Sequence, residues 1–183
     1  MYSTGMCTSL DKDFRLMENI APTVQRCSTY MDIVIVLDGS NSIYPWYEVQ
    51  NFLSNILSKF FIDPEQIQVG VLQYSEVAVH EWTLKDYKTA EEAFSRERGG
   101  REGATKLMIV LTDGESHDGE ELEDALEECE KRNVTRYAIA VLGHYIRRKK
   151  DPNSFINEIK YIASDPDEKY FFNVTDEAAL NDI

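Results

Sequence analysis

Apolar runs of strand length alternate with helical apolar stripes from residue 32 onward. Three of the runs are continuous and rich in β-branched residues, which is typical of strands covered on both faces by other elements. These runs are Asp32–Leu37, Lys106–Leu111 and Tyr137–Leu142. The alternation predicts an α/β fold, with a doubly wound, mainly parallel sheet of the Rossmann-like type and these three runs as its central strands.

Two more runs lie close together between the first two central strands. Gln66–Tyr74 and Val77–Leu84 are separated by two residues, and the second alternates apolar and polar positions. This spacing predicts a hairpin whose second member is an antiparallel edge strand. Lys169–Val174 is predicted to be the last strand.

Helical periodicity predicts the elements that cover the sheet. Apolar stripes span Val49–Phe60, Leu122–Cys129 and Phe155–Ala163, and the terminal Asp176–Ile183 begins a fourth helix. Pro45 suits the first turn of the first helix, and Asp118 is the predicted cap of the second.

The interval Lys85–Thr105 is short for a connection from the predicted edge strand to the next central strand. A single crossover helix around Thr89–Arg98 fits, since about a dozen residues can suffice for such a connection. Its apolar side chains are few, namely Tyr87, Ala90, Ala93 and Phe94. The sequence therefore predicts that one face of the sheet is thinly covered.

Length and charge narrow the classes of function. The 183 residues fit one domain, and 43% hydrophobic with 28% charged residues is typical of a folded protein. A formal net charge of −14 argues against unassisted binding to nucleic acid, because that affinity comes from clustered cations. No apolar run reaches the roughly 18 to 20 residues that span a bilayer, so no membrane contact is expected. Since the first ten residues lack the features of a secretion signal, an extracellular protein would be represented here by an internal fragment.

Polar clusters follow two of the predicted central strands. Asp38, Ser40 and Ser42 stand at alternate positions in a turn after the first, and Asp113 follows the second. Open α/β sheets bind ligands at the carboxyl ends of their strands, so these oxygens can converge on one point. A set without His or Cys favours a hard cation, and so few carboxylates suit an octahedral Mg²⁺ or Mn²⁺ better than Ca²⁺. An open coordination position would then accept a carboxylate from a partner.

Each cluster alone also has a simpler interpretation. A Ser-rich turn after a strand is commonly only a turn, and an aspartate there can cap the next helix. An EF-hand is excluded, because Ile43 stands where the loop needs glycine and Val49 where it needs glutamate. A phosphohydrolase that used Asp38 would need a second carboxylate at position 40, where a serine stands. Taken together, the two clusters favour a binding site over an enzyme.

Cysteines and sequons bear on the cellular compartment. Cys7 and Cys27 flank a short polar stretch and can form a disulfide, whereas three reduced thiols are the alternative that spacing alone leaves open. Cys129 lies on an apolar stripe and is expected to be buried. Asn133 and Asn173 each begin an Asn-X-Thr sequon, which accepts a glycan only on the secretory route.

Five segments carry a resemblance to a known family. DIVIVLDGSNSIYPW, QVGVLQY, IVLTDGESHDG, RYAIAVLGHY and YIASDPDEKYFFNVTDEAAL together resemble the inserted von Willebrand factor A-type domain of collagen-binding integrin alpha subunits. The resemblance covers residues 27–183, and residues 1–26 resemble the linker from a preceding β-propeller. It implies a metal-ion-dependent adhesion site in which Asp38, Ser40, Ser42 and Asp113 hold the cation, with a glutamate of a collagen triple helix completing its shell.

The same resemblance implies partners and further site residues. The positions that match those lining the collagen groove are Asn41, Tyr44, Glu115, His117 and Tyr145. The stretch GHYIRRKKDP resembles the short extra helix that gates this groove. The implied partners are a collagen triple helix and an integrin beta subunit, and the implied location is the extracellular part of a cell-surface receptor without enzymatic activity.

The chain departs from the family pattern at one place. Family members carry a further segment between the equivalents of KDYKTAEE and AFSRERGG, with a helix and a TxTA loop whose second threonine is a metal group. That segment is missing here, between about residues 92 and 93. Thr89 is a partial match, although its neighbours align better with the missing helix than with the loop. The alternative hypothesis is therefore a deletion product that keeps the architecture but binds metal and collagen weakly or not at all.

Overall fold

A computed structural model of the chain describes residues 29–74, 79–82, 94–96, 99–115 and 119–183. Six strands form one sheet in the order β3-β2-β1-β4-β5-β6. Their bounds are Met31–Asp38 (β1), Ile67–Tyr74 (β2), Val79–Trp82 (β3), Thr105–Thr112 (β4), Val134–Val141 (β5) and Phe171–Val174 (β6). All neighbours are parallel except β2 and β3, which are antiparallel. The predicted α/β sheet with one antiparallel edge strand is confirmed.

Helices cover both faces of this sheet. They are Trp46–Ser58 (α1), Gly119–Lys131 (α2), Gly143–Arg148 (α3), Asn153–Ile162 (α4) and Asp167–Tyr170 (α5), followed by a C-terminal 3₁₀ helix, Ala178–Asp182. The three apolar stripes therefore mark α1, α2 and α4. The fourth predicted helix is a 3₁₀ turn within the chain as given.

The predicted last strand is partly wrong, because its first two residues, Lys169 and Tyr170, belong to α5. Pro166 precedes this short helix, and its first turn carries Asp167 and Glu168, where the helix dipole favours anions. The amide of Lys169 donates to the carbonyl of Pro166 (3.0 Å). The proline and the acidic residues favour a helical turn at this point, so β6 begins only at Phe171.

The pleat of β1 divides the core into two layers. Ile33, Ile35 and Leu37 face α1 and the 3₁₀ helix, where Val49 and Leu180 are fully buried. Val34 and Val36 face the other way and belong to the cluster that contains side chains of α2 and α4, including Leu126, Cys129, Phe155 and Ile159. Burying both faces of a strand requires continuous apolar sequence, which is the pattern that predicted β1.

Among the described residues of the short interval before β4, Phe94 is a buried apolar residue that belongs to the second layer. A cleft beside it is lined by Val34, Gly70 and Gly100, among others. A Cβ at Gly100 would collide with the backbone of Phe94, so the chain passes here with no room for a side chain. The predicted helix around Thr89–Arg98 falls largely outside the described residues, and the thin cover of this face stays a prediction.

Arg101 forms a dense set of contacts that the sequence did not predict. Its backbone amide and its Nε both donate to the carboxylate of Asp32 (2.7 Å each), which is 6% exposed at the amino-terminal end of β1. Its remaining guanidinium nitrogens donate to the carbonyl oxygens of Pro64, Met31 and Gln66 (2.7–2.8 Å). We call this arrangement the Arg101 clasp. It ties the connection before β4 to the edge of the sheet opposite the predicted site.

Several predicted features lie outside the described residues. These are the Cys7–Cys27 pair, the linker 1–26, Thr89 and His117. Within the described part of the chain, no helix has both the length and the apolar character needed to cross a bilayer.

Candidate metal centre

The ends of β1 and β4 place the two predicted clusters side by side. The strands are parallel neighbours in register, with Leu37 opposite Leu111, so that both chains leave the sheet at the same edge. Asp38 and Asp113 are the residues at these exits, and they are only 6% and 2% exposed. The predicted meeting of two carboxylates from separate strands is therefore found.

The serine hydroxyls contact each other and the carboxylate of Asp113. Ser42 Oγ donates to Asp113 Oδ1 (2.8 Å) and lies 2.7 Å from Ser40 Oγ. Ser40 Oγ is in turn 3.5 Å from the same Asp113 oxygen. The side chains of Ser40, Ser42 and Asp113 are thus in mutual contact, and Asp38 is held beside them through the amide of Ser40 (2.9 Å).

Thr112 is a residue of this centre that sequence reasoning missed. Its buried hydroxyl donates to Asp38 Oδ2 (2.8 Å), while the other carboxylate oxygen, Oδ1, accepts from the amide of Ser40 (2.9 Å). The amide of Gly114 approaches the same hydroxyl (3.2 Å). Both oxygens of Asp38 are therefore held in place. The available signal was a hydroxyl residue that follows a buried apolar run and stands directly before an aspartate.

Asp113 carries an unsatisfied buried group. Its Oδ2 is buried and has no hydrogen-bond partner among the described residues. Burial raises the pKa of this carboxyl, the Ser42 hydrogen bond opposes that rise, and the charge of Asp38 adds to it. A buried carboxylate oxygen without a partner is costly, and a cation beside it would remove that cost.

The donor set fits a hard cation. It consists of two carboxylates and two hydroxyls, all oxygen, and Mg²⁺ or Mn²⁺ would complete an octahedron with waters. No cluster of three or more His, Cys, Asp or Glu side chains suited to a metal ion occurs among the described residues. The carboxylates therefore contribute a charge of at most −2, and one or more positions would stay open to a further ligand.

The predicted groove residues in the described part of the chain differ in exposure. Asn41 and Glu115 are exposed, and Tyr44 is 75% exposed, as contact residues for a partner should be. Tyr145 is half-buried instead, with its ring stacked on Phe155 (5.0 Å between centroids, 8° between planes). Tyr145 therefore anchors α3 to the core in addition to any contact it makes outside.

Glu177 links three segments around the centre and was also missed. It is 2% exposed and accepts from Nη1 and Nη2 of Arg147 (3.2 Å each) and from the amide of Tyr44 (3.2 Å). Nη2 of Arg147 also donates to the carbonyl of Ser42 (3.0 Å). A Cβ at Gly143 would lie 2.7 Å from Arg147 Nη1, so a glycine there leaves room for the pair. The ion pair fixes α3 and the start of the 3₁₀ helix against the loop that carries the serines.

A comparison with known families decides what this architecture is. The family model of the von Willebrand factor type A domain matches residues 32–96 and 88–183. The chain belongs to this family. Within it, this von Willebrand factor type A domain is an inserted domain of an integrin alpha subunit, since it is 44% identical to integrin alpha-1 of Gallus gallus over 98% of the chain and 73% of that protein.

Longer relatives are more similar still. The domain is 56% identical to integrin alpha-10 of Homo sapiens and 57% identical to integrin alpha-11 of Mus musculus, in each case over 100% of the chain. It spans 18% of the length of each of these relatives. The alignment with integrin alpha-10 extends over 211 positions, whereas the domain has 183 residues, a difference of 28 positions.

Solved structures share the fold at low sequence identity. Proximal thread matrix protein 1 from the mussel byssus has a TM-score of 0.68 at 19% identity and covers 86% of this domain and 46% of its own chain. One structure of that protein is described as having a zinc-occupied MIDAS motif. The manganese-loaded TRAP protein of Plasmodium vivax has a TM-score of 0.57 at 20% identity, covering 86% of this domain and 72% of its own chain.

The sequon residues of the von Willebrand factor type A domain are both exposed. Asn133 lies in the turn between α2 and β5 with φ of 55°, and Asn173 lies on β6, at the edge of the sheet.

Proposed function

We propose that this domain is a divalent-cation-dependent adhesion module that binds collagen as part of an integrin alpha subunit. The observation that carries the proposal is the centre formed by Asp38, Ser40, Ser42 and Asp113, with one buried carboxylate oxygen left unsatisfied.

Different residues are proposed to hold the cation, to orient its ligands and to contact collagen. Asp38, Ser40, Ser42 and Asp113 would hold Mg²⁺ or Mn²⁺ directly or through water. Thr112 and the Ser40 amide keep the Asp38 carboxylate oriented through their hydrogen bonds (2.8 and 2.9 Å). When bound, the cation supplies the positive charge that attracts a glutamate carboxylate of a collagen triple helix. Asn41, Tyr44, Glu115, His117 and Tyr145 are proposed to contact the rest of the triple helix.

The wider assignment follows from the relatives. Their integrin names support an integrin beta subunit as partner and the extracellular face of the cell surface as location. In that setting we propose a Cys7–Cys27 disulfide, glycans on Asn133 and Asn173, and a role for residues 1–26 as a linker from a β-propeller. Metal-bearing structural neighbours support the use of a divalent cation, and the oxygen donor set supports Mg²⁺ or Mn²⁺.

The test is a Mg²⁺ titration of binding to a triple-helical peptide that has one central glutamate. We expect binding that saturates with Mg²⁺, disappears with EDTA and is absent for the peptide with Gln in place of that glutamate. Asp113→Asn should abolish it, while the matched control Asp63→Asn, at the opposite edge of the sheet, should bind normally. Binding that persists in EDTA would contradict the proposal.

A second candidate is a deletion product with weak or no binding. The 28-position shortfall against integrin alpha-10 supports it, and the two family matches overlap at residues 88–96, where the segment is proposed to be missing. Inserting the corresponding segment of integrin alpha-10 distinguishes the two candidates. An increase of tenfold or more in Mg²⁺-dependent affinity would favour the deletion product, and an unchanged affinity would favour the complete function.

A further inference from the structure

Gln73 lies near the turn that carries three of the proposed metal ligands, although the sequence predicted no role for it. β2 is a parallel neighbour of β1, with Gln73 opposite Leu37 and Tyr74 opposite Asp38. Parallel strands end at the same edge of a sheet, so the last residues of β2 lie beside the turn Asp38–Ser42. The half-buried side chain of Gln73 is therefore a neighbour of the metal centre that belongs to a third strand.

The Gln73 side chain packs directly against Gly39, the second residue of this turn. A Cβ placed on Gly39 would lie 2.1 Å from Nε2, 2.7 Å from Cγ and 2.8 Å from Cδ of Gln73, which are the three nearest atoms to it. Heavy atoms in contact are ordinarily about 3.5–4.0 Å apart, so the side chain fills the space that a Cβ would need. The φ of Gly39 is not positive, so its backbone conformation is open to other residue types. Gln73 is therefore what excludes a larger residue here.

The contact covers the part of the turn that joins two residues of the metal centre. The amide of Ser40 donates to Asp38 Oδ1 across Gly39 (2.9 Å), and the amide of Ile43 donates to the carbonyl of Ser40 (3.3 Å). A glycine has more backbone freedom than any other residue, and rotation at this position would turn Asp38 and Ser40 relative to each other. The packed side chain of Gln73 restricts that rotation.

Both neighbouring strands hold Gln73 in place. β2 pairs with β1 on one side and with β3 on the other, where Val79 is opposite Gln73. The register of the pairing between β2 and β3 shifts between Val71 and Gln73. Irregularities of this kind redirect side chains and are frequent next to functional sites. The side chain can therefore act as a fixed support for the turn.

We propose that Gln73 is a positioning residue of the metal centre, whose side chain packs on Gly39 and holds the turn Asp38–Ser42 in the arrangement that binds the cation. The inference rests on the proposed function and adds a residue of β2 to it. Gln73 acts through its shape, because its Cγ, Cδ and Nε2 lie against the backbone of the turn. Direct coordination of the cation by the side-chain oxygen of Gln73 is the competing interpretation.

Four variants of the full chain test the assignment by calorimetric titration with Mg²⁺, at a temperature where circular dichroism shows each of them folded. Gln73→Ala removes the contact, and Gln73→Met keeps a long, flexible side chain but has no amide. Gly39→Ala places a methyl group in the occupied space, and the fourth variant combines Gly39→Ala with Gln73→Ala. The control is Gln68→Ala, which changes the same residue type at the other end of β2, opposite Asp32.

Gln73→Ala should weaken the Mg²⁺ affinity about 2- to 5-fold, which corresponds to the backbone freedom that the glycine regains. Gln73→Met should restore most of this loss, and Gln68→Ala should bind like the unaltered chain. Gly39→Ala should weaken the affinity about tenfold, as expected for overpacking. The combined variant should return to the level of Gln73→Ala, because the methyl group then has room. A merely structural role of Gln73 would leave the Mg²⁺ affinity of the folded variants unchanged.

The inference is overturned if Gln73→Ala binds Mg²⁺ like the unaltered chain, or if the combined variant binds no better than Gly39→Ala. It is also overturned if Gln73→Met loses as much affinity as Gln73→Ala, since that result indicates direct coordination. Urea unfolding in EDTA checks the contact without metal. There the effects of Gly39→Ala and Gln73→Ala should be non-additive, and additive effects would show that the two residues are not in contact. Failure of the unaltered chain to bind Mg²⁺ would instead contradict the proposed function.

Discussion

At the scale of single residues, the centre depends on how buried oxygens are satisfied. Asp38 receives donors on both oxygens, whereas Asp113 Oδ2 has no partner among the described residues. The aspartates and serines were predictable, because their types and spacing carry the chemistry. Thr112 was not, because a threonine at the end of a strand has no distinctive pattern until the neighbouring strand is in place.

Thr112→Val tests whether the threonine positions Asp38. The change keeps the shape of the side chain but removes a hydrogen bond to a carboxylate, a type of bond worth about 1.5–3 kcal/mol. We expect a lower melting temperature and a weaker Mg²⁺ affinity by calorimetry. Thr105→Val, at the exposed opposite end of the same strand, is the control and should change neither. An unchanged Mg²⁺ affinity in Thr112→Val would show that Asp38 needs no such support.

Asp113→Asn tests the electrostatics of the buried carboxyl. Because burial raises its pKa, the folded state holds the proton more tightly than the unfolded state. Without metal, the contribution of this carboxyl to the free energy of unfolding is therefore greatest below the ordinary Asp pKa of about 3.9. It decreases as the pH rises through the raised pKa of the folded state. Asn has no charge to bury, so the variant should gain stability relative to the unaltered chain over this window. Urea unfolding at several pH values in EDTA measures the difference, and a difference that is constant with pH would contradict the assignment.

At the scale of elements, the alternation of apolar runs and helical stripes was sufficient to predict the sheet, because strands buried on both faces must be apolar throughout. The ends of helices and strands were less predictable where neighbouring residues favour different structures. Lys169 and Tyr170 have the character of a strand, yet the proline and acidic residues before them favour a helical turn. The Arg101 clasp was invisible in the sequence for a different reason, since Asp32 lies 69 residues away from it.

Arg101→Gln tests whether the Arg101 clasp stabilises the connection before β4 against the start of β1. The change leaves the carboxylate of Asp32 buried and without its cation, and such losses cost about 3–5 kcal/mol. Urea unfolding should show a loss of this size, with Arg96→Gln, an exposed residue of the same interval, as a neutral control. The double variant with Asp32→Asn should recover part of the loss. Additive effects of the two changes would mean that the pair is not coupled.

At the scale of the whole molecule, a formal net charge of −14 acts against a stable fold, because the carboxylates repel one another. Any divalent cation reduces the repulsion among surface carboxylates, so stabilisation by Mg²⁺ alone does not identify a specific site. The specific contribution is linked to the buried centre, and it should follow the occupancy of that centre.

Mg²⁺ should raise the melting temperature of the full chain by binding the native state. At a concentration of 100 times the dissociation constant, the gain is about 2.7 kcal/mol, or about 5–11 °C for a domain of this size. Asp113→Asn changes the net charge by one unit but removes a ligand, so it should retain only the small rise due to screening. NaCl at equal ionic strength gives the same screening reference for the unaltered chain. If Asp113→Asn and the unaltered chain rise equally in Mg²⁺, then the carboxylates at the ends of β1 and β4 do not form a metal centre.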